Sequence, residues 1–432
     1  MNVCVIGAGS SGIAACQVLK ARGIPFQCFE KGSGVGGNWR YGNDNGMSAA
    51  YKSLHINTHR DLNTYATLPM PSEYADFPHH TEMQEYFETF VEHFGLAEHI
   101  AFRTEVTAVA PSPDGRWEVT TEPGGTRTFD AVLVANGHHW NPKLPDFPGE
   151  FDGETTHAHD YRSPEDYEDK DVLVIGFGNS AVDIAVETSR VSRMTYLSVR
   201  RGAHVVPKYL RGEPLSKPPE GIAKKLPQRV QLALITRLIK RETGPMENYG
   251  LPTPDHKFGH AHPTVSNELL GRIGHGRIRP RPNVERLEGD HVRFVDGTTQ
   301  HIDRIVYATG YRITFPFLSE DLLPVRENRV SLFKKVVPPD LPGLYFLGLV
   351  QPLGALPPIA EAQAEWIADL LQQRAALPSP DEMRASIEED RRAIEKRYVD
   401  STRHTIQVDF FPYLKEIARE RSRNRPVTEG KN

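Results

Sequence analysis

The sequence predicts an α/β protein of two parallel-sheet units, the second inserted in the first, and three observations predict it. The run Val3-Cys-Val-Ile-Gly7-Ala-Gly9-Ser10-Ser11-Gly12 reads as a buried strand, a tight glycine turn and a helix start. The run Val172-Leu-Val-Ile-Gly176-Phe-Gly178-Asn179-Ser180-Ala181 repeats that arrangement far along the chain. Apolar strands at 302–308 and 344–347 then return the chain towards the first unit. A glycine turn of this kind lets backbone N–H groups at a helix N-terminus approach a pyrophosphate, so both units read as Rossmann-like dinucleotide-binding domains. One such turn is weak evidence. Two imply that the chain holds two dinucleotides at once, one giving a hydride and one receiving it.

In order along the chain, residues 2–30 read strand, helix, strand, ending at Glu30. A helix is expected over 81–95, with Thr81 and Gln84 forming a capping box and Gly95 closing its end. Its Met83, Tyr86, Phe87, Phe90, Val91 and Phe94 keep helical spacing and form a core stripe. Residues 101–135 read as antiparallel strands followed by the buried strand Ala131-Val-Leu-Val-Ala135. A Pro/Gly-rich crossing over 141–153 leads to the second fingerprint. Residues 202 to about 282 are rich in proline and glycine, with one helical run at 228–240, and read as an excursion that covers the active site. Pro357 and Pro358 stand where a helix N-terminus begins, running to about Leu371. The polar tail 421–432 reads as a frayed end, and no repeat of fixed period is present.

At 432 residues the chain is long enough for two cores, and its 38% apolar and 25% charged content is that of a globular protein. A net charge of -5 leaves no basic footprint for nucleic acid. No apolar run reaches membrane-spanning length, and a strand starting at residue 2 leaves no room for a signal peptide. Cys4, Cys16 and Cys28 form no Cys-x-x-Cys pair. They read as reduced core thiols, which suits a cytoplasmic protein. His79 and His80 lack a third ligand nearby in sequence, so no metal site is expected.

The residue closing the second strand of each unit separates the two nucleotides. Glu30 offers a carboxylate that accepts from a ribose diol and repels a 2′-phosphate. The matching stretch Tyr196-Leu-Ser198-Val-Arg200-Arg201-Gly202 has no acid, but a hydroxyl and two guanidiniums suited to a 2′-phosphate. The first site is therefore expected to take FAD and the second NADPH. The expected division is an FAD-binding first part at 1–160, an NADPH-binding domain at 161–285, and a second FAD-binding part with the tail at 286–432.

Between the fingerprints lies Phe151-x-Gly153-x3-His157-x3-Tyr161. With Gly36-Gly37-Asn38-Trp39, Leu54-His-Ile-Asn57-Thr58, Ala308-Thr-Gly-Tyr311 and Gly348-Leu-Val-Gln351-Pro-Leu-Gly354, the sequence closely resembles the flavin-containing monooxygenases from residue 1 to about 415. The resemblance implies reduction of FAD by NADPH, a C4a-hydroperoxyflavin guarded by bound NADP⁺, and oxygen transfer to a soft nucleophile such as an amine, a sulfide or indole. It also implies roles for residues. Asn57 bonds the nicotinamide ribose beside the reactive flavin edge and is the candidate catalytic group. Trp39 packs against FAD, and the dipole of the helix after Pro357 favours negative charge on reduced flavin. The cofactor-binding set is completed by Lys31, Gly37, Asn38, Thr58, Val106, Asp183 and Gln351, beside Gly7, Gly9, Ser10, Ser11, Gly12, Gly176, Gly178, Asn179 and Ser180. His157 is expected to be structural. The partners implied are a small molecule with a nucleophilic nitrogen or sulfur and molecular oxygen, with a homodimer left open. The family's animal enzymes carry an apolar C-terminal anchor that this sequence does not show.

Two alternatives stand beside this reading. A Baeyer–Villiger ketone monooxygenase is disfavoured by Tyr161, since those relatives carry Trp there. A non-oxygenating NADPH-linked flavoprotein is disfavoured by the intact second fingerprint, and a disulfide reductase is excluded by the cysteine pattern.

Overall fold

In a computed structural model of the chain, residues 1–217, 228–397 and 405–423 are described. Residues 218–227 of the expected excursion, and the expected frayed tail from 424 onward, lie outside the described residues. The chain forms two compact units. The first comprises Met1–Ser48, Arg60–Asn141 and Arg312–Asn432, and the second Ala49–His59 and Pro142–Tyr311.

The first unit is built on a five-stranded parallel sheet in the order Leu344–Phe346, Ala131–Val134, Val3–Ile6, Phe26–Phe29, Ile100–Ala101. Val3–Ile6 is apolar throughout because it is central, with Val5 opposite both Cys28 and Leu133, and every residue of it is buried. The helix Ser10–Ala21 follows and buries Ile13, Ala14, Ala15, Cys16, Val18 and Leu19. Its partner is the helix Pro357–Leu371, which starts at the expected prolines and ends where expected. An antiparallel sheet of Glu105–Pro111, Trp117–Glu122 and Gly125–Phe129 brings Val109, Trp117, Val119 and Phe129 into one core with Phe29, Phe315 and Phe346. Cys4, Cys16 and Cys28 are buried free thiols, and burial pushes the Cys4 thiol far above its usual range.

The aromatic helix runs His80–His93, one residue earlier than its sequence pattern placed it. His79 is the cap instead of Thr81: its ring accepts from the Thr81 N–H, and its own N–H donates to Glu82 at 2.9 Å. His79 keeps the extended backbone of a cap residue (φ -68°, ψ 159°), so the first helical residue is already His80. Gln84 is freed to donate to the Val35 carbonyl at 3.0 Å. Gly95 closes the helix as expected: at φ 59° its N–H reaches Glu92 O while Leu96 N–H reaches Val91 O, both at 2.9 Å.

The second unit repeats the plan, with a parallel sheet in the order Glu154–His157, Arg304–Tyr307, Asp171–Ile175, Met194–Ser198, Ile278–Arg281. The fingerprint strand is again central, followed by the helix Asn179–Val191. The sheet corrects the expected division. The unit starts at 142 and not 161, because Glu154–His157 is one of its strands, and it ends at 311 and not 285. The strand Arg304–Tyr307 therefore does not return to the first unit; it pairs with Glu154–His157 on one side and Asp171–Ile175 on the other. Part of the excursion is also regular: Ile278–Arg281 is the sheet edge beside Met194–Ser198. The helical run there extends over Gln228–Thr243.

Candidate functional site

Both glycine turns share one backbone construction. Gly7 N–H donates to Phe29 O at 2.8 Å and Gly176 N–H to Ser198 O at 3.1 Å, so each turn leaves the central strand against its neighbour. Gly7 has φ 96° and Gly176 φ 134°, and a Cβ at either would stand 2.8 Å from Ala135 O or 2.4 Å from Ala308 O. Ala135-Asn-Gly137 and Ala308-Thr-Gly310 are thus counterparts, each closing its turn from the next strand. The sequence spells this equivalence as Ala-x-Gly after an apolar strand.

Both helices that follow start at a glycine, Gly9 or Gly178, with no side-chain cap. Their first-turn N–H groups are left to an outside acceptor, the condition an anion meets. At Gly9 a Cβ would meet only the Gly37 backbone, Cα at 3.6 Å and N at 3.9 Å, so the space above the turn is open. At Gly12 a Cβ would lie 1.8 Å from Gly7 O, whereas the second turn accepts the buried Ala181 at the equivalent place. Both cradles fit a pyrophosphate, the first requiring three glycines and the second two.

Glu30 closes the second strand and is buried, and its carboxylate is held from three sides. Ala8 N–H and Gly32 N–H each donate at 2.7 Å, and Asn45 Nδ2 at 3.1 Å. A carboxylate retains further lone pairs for a diol after these bonds. Gly37, Asn38 and Trp39 form a 3-10 turn facing the first fingerprint, since a Cβ on Gly37 would stand 3.0 Å from Gly9 Cα. Asn43 anchors that turn by donating to Gly37 O at 3.0 Å. Lys31 pairs with Glu105 at 2.9 Å on the surface. Val106 packs its side chain into the core, leaving only its backbone for a ligand. Gln351 heads the strand Gln351–Leu353 paired to Gln407–Asp409. Gly348, at φ 68°, donates its N–H to Gln363 Oε1 at 2.9 Å, and a Cβ there would meet Ser11 Oγ at 2.1 Å.

In the second unit the expected phosphate residues separate. Ser198 is 1% exposed, and its hydroxyl donates to Pro282 O at 2.9 Å, so it is committed to the fold and departs from its expected role. Its strand position explains this: Ser198 pairs with both Ile175 and Arg281, inside the sheet. Arg200 is exposed and has no hydrogen bond or ion pair among the described residues. Arg201 pairs with Asp255 at 2.9 Å. Asn179 accepts from Val265 N–H at 2.8 Å, and Ser180 is exposed at the helix start.

The segment Ala49–His59, which carries Asn57 and Thr58, belongs to the second unit although it precedes the rest by a long interval. It is fastened to the helix Asn179–Val191. Asp183 accepts from Tyr51 OH at 2.6 Å, and Glu187 takes Ser53 OH on one oxygen and Tyr161 OH at 2.7 Å on the other. Lys52 N–H donates to Arg162 O at 2.8 Å, and His59 N–H to Ser216 Oγ at 2.8 Å. Burial pushes the Asp183 carboxyl up to about 6, against the lowering effect of the Tyr51 hydroxyl and the Lys208 ammonium. Burial likewise lowers Lys208 and raises Glu187. Asp183 thus meets a tyrosine of its own chain. Asn57 is half-buried, and neither it nor Thr58 has a hydrogen bond among the described residues.

The motif Phe151-x-Gly153-x3-His157-x3-Tyr161 makes packing and hydrogen-bond contacts within this unit. Gly153 leaves room for Asp303 O, 2.5 Å from where its Cβ would be, and for the Phe151 ring at 2.6 Å. His157 Nδ1 accepts from His159 N–H at 3.0 Å, its ring lies edge-on to Tyr311, and burial lowers its pKa. His79 and His80 are absorbed by the helix cap and by stacking on Tyr41. A different group, Asp171, His301 and Asp303, converges at the far end of the fingerprint strand. The Arg193 guanidinium reaches both of its carboxylates, at 3.3 and 2.7 Å, and makes it an ion-pair cluster.

Comparison with known proteins agrees with this geometry. The flavin-binding monooxygenase-like family model matches residues 1–426. Rat flavin-containing monooxygenase 5 is 39% identical over 438 residues, covering 96% of this chain and 82% of the relative. Rabbit N-oxide-forming dimethylaniline monooxygenase 2 is 36% identical, covering 97% of this chain and 82% of the relative. Among solved structures, S-allyl-L-cysteine S-oxygenase from Allium sativum superposes with a TM-score of 0.74 at 27% identity, over 99% of this chain and 90% of that one. An open structure of cyclohexanone monooxygenase shares the fold, with a TM-score of 0.73 at 20% identity over 97% of both chains.

Proposed function

The chain belongs to the flavin-binding monooxygenase-like family and is a flavin monooxygenase, and from that premise we propose that it binds FAD at the first glycine turn and NADPH at the second, and oxygenates a soft nitrogen or sulfur nucleophile. One observation carries the cofactor reading. Two helix N-termini without side-chain caps stand behind open glycine turns, and the strand beside each ends in opposite charge: buried Glu30 in one unit, exposed Arg200 in the other.

On the first turn Gly7, Gly9, Ser10, Ser11 and Gly12 would hold the pyrophosphate, and Glu30 would accept from the adenosine ribose. Gly37, Asn38 and Trp39 face the turn from the opposite loop, and Lys31, Val106 and Gln351 complete the set. The N-terminus of Pro357–Leu371 adds a favourable dipole for negative charge. On the second turn Gly176, Gly178, Asn179 and Ser180 would hold the pyrophosphate and Arg200 the 2′-phosphate. Arg201 contributes when it exchanges Asp255 for phosphate. Reduced flavin supplies the electrons and the oxygen-activating chemistry. The polypeptide supplies position and exclusion of water. Asn57 suits this task because a carboxamide donates to one partner and accepts from another without adding charge.

The named activities of the relatives, N-oxide formation and S-oxygenation, support an amine or sulfide as substrate. The test is direct. Purified protein should carry about one FAD per chain, oxidise NADPH in the presence of O2, and convert members of a panel of amines, sulfides and indole. A colourless protein that gains no activity with added FAD overturns the assignment. Lactones from ketones, with amines and sulfides untouched, would assign the ketone monooxygenase reading instead.

A further inference from the structure

We propose that the helix Pro357–Leu371 holds the first glycine turn in its binding shape through two buried polar arms. Glu361 acts through Tyr65 on Ser10, and Gln363 acts through Gly348 on Ser11. Tyr65 and Gln363 are thereby positioning residues for the flavin pyrophosphate, a role that rests on flavin binding at that turn.

The first arm starts at the buried Glu361. Its carboxylate accepts from Ala66 N–H at 2.7 Å, Thr67 N–H at 3.1 Å and the Thr67 hydroxyl at 2.6 Å. The adjacent Tyr65 is fixed by this loop, by its own N–H donating to Tyr86 OH at 2.9 Å, and by its ring packing on Tyr86 and Phe90. The Tyr65 hydroxyl donates to Ser10 O at 2.5 Å. Burial holds this phenol well above its usual range, so it remains a donor. The Ser10 carbonyl and the Ser11 N–H belong to one planar peptide. A bond to the carbonyl therefore fixes the direction of that N–H and strengthens it as a donor. Ser11 N–H is one of the first-turn groups that no side chain caps.

The second arm starts at Gln363, which is wholly buried and tied at both ends of its amide. Oε1 accepts from Gly348 N–H at 2.9 Å, and Nε2 donates to Tyr413 OH at 2.7 Å, whose own hydrogen goes to Lys334 O at 2.5 Å. Gly348, at φ 68°, abuts Ser11 so closely that a Cβ on it would lie 2.1 Å from Ser11 Oγ and 3.0 Å from Ser11 Cβ. Ser11 is buried, and its hydroxyl has no hydrogen bond among the described residues. Buried hydroxyls are seldom left unpaired, and this one stands beside the first-turn N–H groups where the pyrophosphate would lie.

The same helix grips the other end of Ser10–Ala21. Arg22 pairs with Glu365 and lies 3.4 Å from Asp369. With both ends held, the donors at the start of Ser10–Ala21 are ordered before any ligand arrives, and an anion binds them without the cost of ordering them.

The measurement is the FAD Kd of the purified holoenzyme, read from the fluorescence of flavin released on dilution, beside its Tm and its KM for NADPH. Tyr65→Phe removes one hydroxyl and Gln363→Leu the bond to Gly348, and each should weaken FAD by roughly 3- to 10-fold. Ile367→Val, at a buried position of the same helix outside both arms, should lower the Tm and leave FAD binding unchanged. With FAD in excess, the KM for NADPH should stay at the wild-type value in all three, because the second turn is untouched. The proposal is overturned if either arm variant binds FAD within about twofold of wild type. It is equally overturned if Ile367→Val weakens FAD as much as they do, or if the KM for NADPH rises in parallel. Gly9→Ala separates the arms from the site itself. If it loses FAD while Tyr65→Phe and Gln363→Leu keep it, the arms alone fall; if it retains FAD, the pyrophosphate is not on this turn and both readings fall together.

Discussion

Asp183 and Glu187 stand one helical turn apart on the same face of the helix Asn179–Val191, and each carboxylate accepts a tyrosine hydroxyl, Tyr51 at 2.6 Å and Tyr161 at 2.7 Å. Two acids four residues apart would repel on a solvated helix. Here they clasp the segment Ala49–His59, which carries Asn57, to the helix Asn179–Val191 of the second unit. The rings of Tyr51 and Tyr161 pack edge to face at 5.9 Å between them.

The clasp has a pH signature. The Asp183 carboxyl titrates near 6 in the folded protein against an ordinary 3.8. A raised folded pKa means that its contribution to stability is full below about 3.8 and is lost as pH rises through about 6. The difference amounts to at most about 3 kcal/mol. Asp183→Asn keeps an acceptor for Tyr51 and cannot ionise. Denaturant titrations should show wild type losing stability relative to this variant between pH 4 and pH 7. A difference that stays constant over that range would show that Asp183 does not titrate there.

The two glycine turns should respond differently to a methyl group. Gly9→Ala adds a Cβ in ordinary contact with the Gly37 backbone, so the protein should fold and yet lose flavin, because the methyl occupies the space above the turn. Gly12→Ala should cost about 1–3 kcal/mol or more, since the Cβ collides with Gly7 O. Flavin content and the Tm of the flavin-free proteins separate the two outcomes. Full flavin retention by Gly9→Ala would remove the pyrophosphate from this turn.

Nicotinamide selectivity should rest on Arg200 and little on Ser198. Arg200→Ala should weaken NADPH by roughly 1.5–3 kcal/mol, or about 10- to 150-fold, and leave NADH nearly unchanged. Ser198→Ala should lower stability without altering the NADPH-to-NADH ratio, because its hydroxyl serves Pro282. Michaelis constants for both cofactors decide the matter. Equal losses with both in Arg200→Ala would show that the guanidinium does not read the phosphate.

Asn57 should control coupling. Asn57→Ala removes the carboxamide proposed to bond the cofactor, and Asn57→Asp replaces a group that donates and accepts with one that only accepts. Both variants should bind FAD and consume NADPH while releasing hydrogen peroxide in place of oxygenated product. The ratio of peroxide formed to NADPH consumed is the measurement. A wild-type ratio in Asn57→Ala would reduce this residue to a place in a turn.

The amino-acid order alone determined the two fingerprints, the helices that follow them, the acid at Glu30, the buried cysteines and the helix from Pro357 to Leu371. Each depends on contacts within a few residues or on hydrophobic period, which the order of residues encodes directly. Only the tertiary structure decided where the second unit begins and ends, because a strand's sheet is chosen by its neighbours: Arg304–Tyr307 reads the same whichever sheet it joins. It also decided that Ala49–His59 goes with the second unit, that Ser198 serves the fold while Arg200 stays open, and that His79 and not Thr81 caps its helix. These outcomes turn on which donor meets which acceptor across long stretches of chain. A hydroxyl suited by type to a phosphate is taken by a carbonyl, because folding leaves few buried polar groups unpaired.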